Sequence, residues 1–167
     1  DANRPPDTAE SIPEISDGIA IPGNKGLTVE ERNDRARNIF KPMNETIQRL
    51  FDANRRSAAF SIHSYTPRLG TRTRPWHAGF LNRANLQTAE QLRAVVAEAA
   101  PDLSLAINQP YQIEDETDWF IPAHAEPRNI PHCLIEIRND QIDHPEGVAL
   151  WAGLLTNAIR NVMKGPQ

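Results

Sequence analysis

The sequence is poor in several residue types and features that would otherwise indicate the class of protein. Cysteine occurs once, at Cys133, which excludes an internal disulfide and favours a reducing compartment. No apolar run approaches the roughly 18 residues of a membrane-spanning helix. Lys and Arg number 18 against 22 Asp and Glu, and a net charge of −4 gives no indication of nucleic-acid binding. Glycine is also scarce, with 8 residues against 14 prolines, which is typical of stiff, ordered loops.

Between these proline-rich loops, the apolar residues alternate between the periods of helices and of strands. The three-and-four spacing predicts helices from Thr28 to about residue 51, over 88–99 and over 146–163. Thr28 and Glu31 have the spacing of a capping box, and Pro42 should kink or split the first helix. Short apolar runs predict strands at 58–63, 77–81, 103–107 and 132–138.

Strands separated by helices favour crossover connections. We therefore predict one three-layer α/β domain over 1–167, with a mostly parallel sheet flanked by helices. Residues 1–27 and 108–131 are rich in proline and polar residues, and we expect them to be loops with short extended pieces.

Polar side chains occur where the predicted strands end, and ligands of open α/β sheets bind at that edge. His63 closes the first strand, and Glu136 and Arg138 project to one side of the last. A charged pair in an apolar strand costs free energy unless it is paired or used. The alternatives are a salt bridge at the strand end for Glu136 and Arg138, and a structural role for His63.

Two further segments could bind anions. Asn3 and Arg4 precede two prolines, so they could form a stiff clamp for a carboxylate, or they could be a frayed terminus. Arg68, Arg72 and Arg74 could form a second anion-binding loop together with His77, or a solvated basic turn. His124 and His132 are also available for a site, whereas His144 lies near a predicted helix start.

A series of short blocks resembles the N-formylglutamate amidohydrolase family over nearly the whole chain. In chain order they are DANRPP, SIPEISDG, IPGN, IHSYTP, RPWHAGFLN, NQPY, IPAHAEPRNIPH and EIRND. The resemblance implies a fold similar to zinc carboxypeptidases and aspartoacylases, with one catalytic zinc ion. It implies hydrolysis of N-formyl-L-glutamate to formate and L-glutamate, in the cytoplasm and in histidine degradation. The expected partner is this small N-acyl amino acid, and neither nucleic acid nor membrane is expected.

The resemblance also implies roles for individual residues. Asn3 and Arg4 would hold a substrate carboxylate, His63 would bind zinc, and Glu136 would be the general base. Arg138 would stabilise the oxyanion or a second carboxylate. The remaining candidates for the substrate pocket are Tyr65, Arg74, His77 and His124. We expect Asn3 and Arg4 to lie within reach of His63 and Glu136.

The sequence departs from the family pattern at its start. The broader group takes its first two zinc ligands, a histidine and an acidic residue, from segments that precede the Asn-Arg block, whereas this sequence begins with that block. We expect the chain to be the C-terminal part of a longer domain, or else a reduced homologue with an incomplete metal site. Two functional alternatives remain: a deacylase for other N-acyl amino acids, and a carboxylate-binding domain without catalysis.

Overall fold

The structure is a computed structural model that describes residues 1–84 and 86–164. It divides into two compact units. The first contains Asp1–Arg56 and Glu114–Arg128, and the second contains Ser57–Ile113 and the chain from Asn129 onward. Among the described residues, no helix has both the length and the apolar character needed to cross a membrane. The single domain over 1–167 stays a prediction.

The first unit begins with turns and a small hairpin. Strands β1 (Ile15–Ser16) and β2 (Ile19–Ala20) pair antiparallel. Asp17 and Gly18 join them with φ angles of 48° and 75°, the left-handed backbone that a two-residue hairpin turn requires. The predicted loop with short extended pieces is therefore confirmed here.

The first α-helix of the first unit begins directly after the capping box predicted at Thr28. Helix α1 (Val29–Arg35) is capped by Thr28, whose hydroxyl accepts from the Glu31 amide while the Glu31 carboxylate accepts from the Thr28 amide. A π-helical turn (Ala36–Phe40) follows, and α2 (Lys41–Ala53) carries Pro42 in its first turn. The interruption predicted at Pro42 is therefore present as a change from a π-helical turn to the α-helix α2.

The segment Glu114–Arg128 closes the first unit. It lies within the stretch predicted as loop but contains a π-helical turn (Ile121–Ala125) and a 3-10 turn (Glu126–Arg128). Such short turns do not complete enough helical periods to be recognised from an apolar pattern.

The second unit is built on a mixed four-stranded sheet. Numbered in chain order, its strands are β3 (Ala59–Tyr65), β6 (Ala78–Leu81), β7 (Leu105–Ile107) and β8 (His132–Arg138), and the intervening β4 (Arg68–Leu69) and β5 (Arg72–Thr73) form a separate hairpin. The order in the sheet is β3-β8-β6-β7. The β3–β8 and β6–β7 pairings are parallel, and β6 runs antiparallel to β8. The α/β class is confirmed, while the mostly parallel sheet is corrected to a mixed one.

Two helices pack on one face of this sheet. Helices α3 (Leu86–Ala99) and α4 (Pro145–Lys164) share a buried cluster with Phe80 of β6 and Ile135 of β8. Because side chains alternate along a strand, the residues directly before and after Phe80 and Ile135 in their strands point to the opposite face of the sheet. A third layer and the similarity to zinc carboxypeptidases stay predictions.

Candidate functional site

The strand register of the second unit places His63 directly beside Glu136. These residues are paired across β3 and β8, and Gly79 of β6 is paired with Glu136 on its other side. All three lie on the sheet face opposite the helices, since their strand neighbours Phe80 and Ile135 face the helical core. Adjacent strands are about 4.8 Å apart, so the imidazole and the carboxylate occupy neighbouring positions in one row.

The two side chains of this row differ in accessibility. His63 is half-buried, and its Nε2 is 2.8 Å from the Ser61 hydroxyl on the same strand face. Glu136 is only 7% exposed. A carboxylate shielded from bulk water and adjacent to an imidazole is suited to move a proton at a site that excludes solvent.

The segment after β7 lies over Gly79. A Cβ atom at Gly79 would overlap the carbonyl oxygen of Gln109. Asn108, with a φ of 52°, donates from its amide to the Phe80 carbonyl at 3.1 Å, and its side-chain oxygen accepts from the Asn82 amide at 2.9 Å. Gly79 was not predicted from the sequence as a residue next to the row. A glycine inside an apolar strand was the available signal.

Arg138 makes a salt bridge at the end of β8, and its acidic partner there is Asp140. Its Nε donates to Asp140 at 2.7 Å, and its Nη1 donates to the carbonyls of Pro75 and Arg74 at 3.0 and 3.3 Å. The hydrogen bond from Arg138 lowers the pKa of the Asp140 carboxyl. These contacts hold the loop that precedes β6, and the oxyanion role stays a prediction.

Arg74 does not lie in a solvated turn, and that alternative is wrong for this residue, although Arg68 and Arg72 are exposed. Arg74 is 3% exposed, with its guanidinium carbon 4.8 Å from the ring centre of Tyr111 and 5.7 Å from that of Tyr65. Its Nη1 donates to the Tyr111 hydroxyl at 2.8 Å. Burial raises the pKa of Tyr65 to about 12, so this tyrosine stays a hydrogen-bond donor.

His77 and His132 make hydrogen bonds to the backbone. His77 accepts from the Ser104 amide at its Nδ1, at 2.9 Å, and its pKa is lowered first by burial and then by the charge of Arg138. His132 is 4% exposed, and its Nδ1 donates to the Ile130 carbonyl at 2.7 Å. Both contacts fix chain segments beside the sheet.

Asn3 and Arg4 are tied to the first unit and are not frayed. The Asn3 side-chain oxygen accepts from the Phe120 amide at 2.9 Å, and its amide nitrogen donates to Asp118 at 3.3 Å. Arg4 donates from Nη1 to the Thr117 carbonyl. The segment predicted to be a loop therefore anchors the predicted carboxylate clamp.

His124 lies in the interior of the first unit. It is 2% exposed and stacks on Phe51 with ring centres 6.0 Å apart. Its Nε2 is 2.8 Å from the side-chain oxygen of Asn44. Its place in the substrate pocket stays a prediction, as does the closeness of Asn3 and Arg4 to His63 and Glu136, which belong to the other unit.

The described residues do not provide a complete zinc site. Within 1–84 and 86–164, no group of three or more His, Cys, Asp and Glu side chains is placed to hold a metal ion. Catalytic zinc normally takes three protein ligands. The donors present do not fit that requirement, and His63 supplies one ligand at most.

Comparison with known proteins gives a consistent result. The model of the N-formylglutamate amidohydrolase family matches residues 1–142. The solved structure of gene product Atu2144 from Agrobacterium tumefaciens is 31% identical with a TM-score of 0.85, and the similarity covers 98% of this chain and 67% of that one. No match was found among curated proteins.

A second solved structure is more distant. An N-formylglutamate amidohydrolase from Ralstonia eutropha JMP134 is 13% identical with a TM-score of 0.60, over 83% of this chain and 56% of that one. Identity at this level shows similarity of fold alone. The chain thus corresponds to about two thirds of the first structure and just over half of the second.

Proposed function

Because the chain belongs to the N-formylglutamate amidohydrolase family, we propose that it hydrolyses the amide bond of an N-acyl amino acid, converting N-formyl-L-glutamate to formate and L-glutamate. The observation that supports this proposal best is the pairing of His63 with Glu136 on one sheet face. We also propose a cytoplasmic location, which a single buried cysteine favours.

In the proposed reaction Glu136 is the general base. Its carboxylate takes a proton from a water molecule as the water oxygen bonds to the formyl carbon, and the carbon–nitrogen bond then breaks. The same carboxyl passes the proton to the departing nitrogen, which leaves as the amine of glutamate. Because Glu136 is largely shielded from solvent, the proton is retained between these two steps.

The other predicted residues have supporting roles in this proposal. Asn3 and Arg4 hold a substrate carboxylate, with the planar guanidinium providing a two-point grip. His63 would be one ligand of a zinc ion. Arg138 stabilises charge on the reacting oxygen or on a carboxylate. Tyr65, Arg74, His77 and His124 are the further residues proposed to bind the substrate.

The test is hydrolysis of N-formyl-L-glutamate, measured as formate release with zinc in excess. Glu136→Gln should reduce turnover by about 100-fold or more, with an unchanged circular dichroism spectrum. Glu98→Gln removes an exposed carboxylate from the same unit and should have no effect. Retained turnover in the Glu136 variant would exclude its role as the base. A panel of N-formyl, N-acetyl and longer N-acyl derivatives of acidic and neutral amino acids identifies a related deacylase.

A carboxylate-binding protein without catalysis is the second candidate. It is favoured by the lack of a three-ligand group among the described residues. This candidate predicts that N-formyl-L-glutamate binds, as measured by calorimetry, while no formate is released at any zinc concentration.

A further inference from the structure

The first unit contains a pocket that is lined by both charged and apolar side chains. Its empty volume is about 540 Å³. The charged side chains that line it are Asp1, Arg4 and Arg35. The apolar wall comes mainly from Ile12 and from the π-helical turn, through Ala36, Ile39 and Phe40. A small organic anion with an aliphatic stem matches this combination of surfaces.

Arg35 makes no salt bridge in the described part of the chain, although its charge, after the hydrogen bonds from Thr28, helps to lower the pKa of the exposed Glu31 carboxyl one turn earlier on α1. Arg4 is paired with the Asp1 carboxylate at 3.4 Å. Arg35 instead donates from its two terminal nitrogens to the side-chain oxygen of Asn24 and the carbonyl of Gly23. No carboxylate in the described chain lies within salt-bridge distance of Arg35. Its other N–H groups remain available, since a guanidinium carries about five.

The contacts of Arg35 also fix its position. Asn24, which accepts from Arg35, is itself held by a 2.7 Å hydrogen bond from its side-chain nitrogen to the Pro13 carbonyl. Arg35 lies at the end of α1, and both of its hydrogen-bond acceptors are neutral, so they hold the guanidinium in place without an ion pair. A fixed guanidinium loses little freedom when an anion binds, which favours a specific two-point contact.

The apolar wall is available for a stem of a few carbons. Ile39 is 62% exposed, and Phe40 packs edge-on against Trp119 with ring centres 5.0 Å apart. The π-helical turn brings both side chains to the pocket, and such turns occur frequently at functional sites. Contact with the stem would remove part of this apolar surface from water.

We propose that Arg35 is a specificity-determining residue that binds the side-chain carboxylate of a dicarboxylic ligand. One carboxylate of the ligand binds Arg4, the second binds Arg35, and the stem contacts Ile39 and Phe40. The inference rests on the proposed function for the identity of the ligand as an N-acyl derivative of an acidic amino acid. The choice of Arg35 rests on the pocket itself.

The test compares glutarate with pentanoate, which has the same number of carbons and a single carboxylate, by calorimetry on the full chain. The wild type should bind glutarate about tenfold more tightly or better, as expected for a charge-assisted contact. Arg35→Gln should lower the affinity for glutarate to about that for pentanoate and leave pentanoate binding unchanged. Arg37→Gln is the matched control, since Arg37 is exposed and paired with Asp34 on the same helical segment.

The ratio of the two affinities separates a specific role from a structural one. A variant that merely loosens the Asn24 loop lowers binding of both acids equally, and that result would overturn the proposal. A wild type without preference for glutarate, or an Arg35→Gln variant that keeps the preference, would overturn it as well. If no formate is released but the preference for glutarate is present and depends on Arg35, the proposed hydrolysis is refuted. The proposed role of Arg35 is then unaffected.

Discussion

At the scale of single residues, the hydrogen bonds of His124 define its protonation state. The Trp119 indole, which can only donate, is 2.8 Å from the side-chain oxygen of Asn44. His124 Nε2 lies 2.8 Å from that same oxygen, so Nε2 must carry the proton that it donates. Nδ1 is buried and has no hydrogen-bond partner among the described residues. A second proton at Nδ1 would therefore be a buried charge without an acceptor.

This arrangement predicts a pH dependence of stability. The pKa of His124 is lowered, first by burial and then by the charge of Arg128. Below the ordinary histidine pKa the unfolded chain binds a proton that the folded chain resists, so this residue makes the free energy of unfolding fall as the pH decreases. Urea unfolding at several values between pH 7.5 and 5.5 should show a smaller loss in His124→Gln than in the wild type. Equal slopes would contradict the assignment.

The sequence predicted which residue types were available for chemistry, but not their surroundings. The alternation of apolar residues placed Glu136 within a buried strand, and this predicted that its side chain is buried. The contacts of Arg138 with Asp140, Pro75 and Arg74 come partly from distant positions in the sequence. Such contacts depend on how loops return to the sheet, which local periodicity does not encode.

At the scale of secondary structure, local signals were reliable where one element determines its own ends. The capping box located the start of α1, and apolar alternation gave β8 with its exact bounds, His132–Arg138. Strand pairing was different. Alternation assigns each side chain to a face, but it does not specify which strands are neighbours or their direction. The antiparallel β6–β8 pairing was therefore missed.

Gly79 gives a test of how β6 and the segment after β7 fit together. A methyl group at this position would overlap the Gln109 carbonyl oxygen, so Gly79→Ala should lower the free energy of unfolding by about 2–3 kcal/mol through overpacking. In α4, a Cβ at Gly153 meets no atom within 4 Å. Gly153→Ala should therefore be neutral or stabilise by about 0.5–1 kcal/mol. Denaturant unfolding measures both, and equal effects would refute the close approach at Gly79.

At the scale of the whole molecule, chain order and compact units do not coincide. The segment Glu114–Arg128 belongs with Asp1–Arg56, although the whole of Ser57–Ile113 lies between them in sequence. The bonds from Asn3 and Arg4 to this segment are contacts between residues more than one hundred positions apart. Neither segment has an apolar period that indicates the other, which is why the sequence alone did not predict this grouping.

Metal binding also depends on the fold of the whole molecule, because a zinc site needs ligands from several segments of a chain. The described residues bring no three suitable side chains together, and one imidazole cannot replace a set of three. We predict that the 167-residue chain, purified without added metal and dialysed, retains far less than one zinc ion per molecule. Elemental analysis by mass spectrometry measures this directly.

Two variants identify where any residual zinc is bound. His63→Ala should remove any weak zinc binding that a titration detects, because His63 is the expected ligand. His144→Ala should leave it unchanged, since His144 is an exposed histidine that contacts Asp143. Hydrolysis should accordingly rise with zinc concentration well beyond one equivalent. One tightly held zinc per chain with full activity at stoichiometric metal would show that the ligand set is complete and that the two further ligands are not missing.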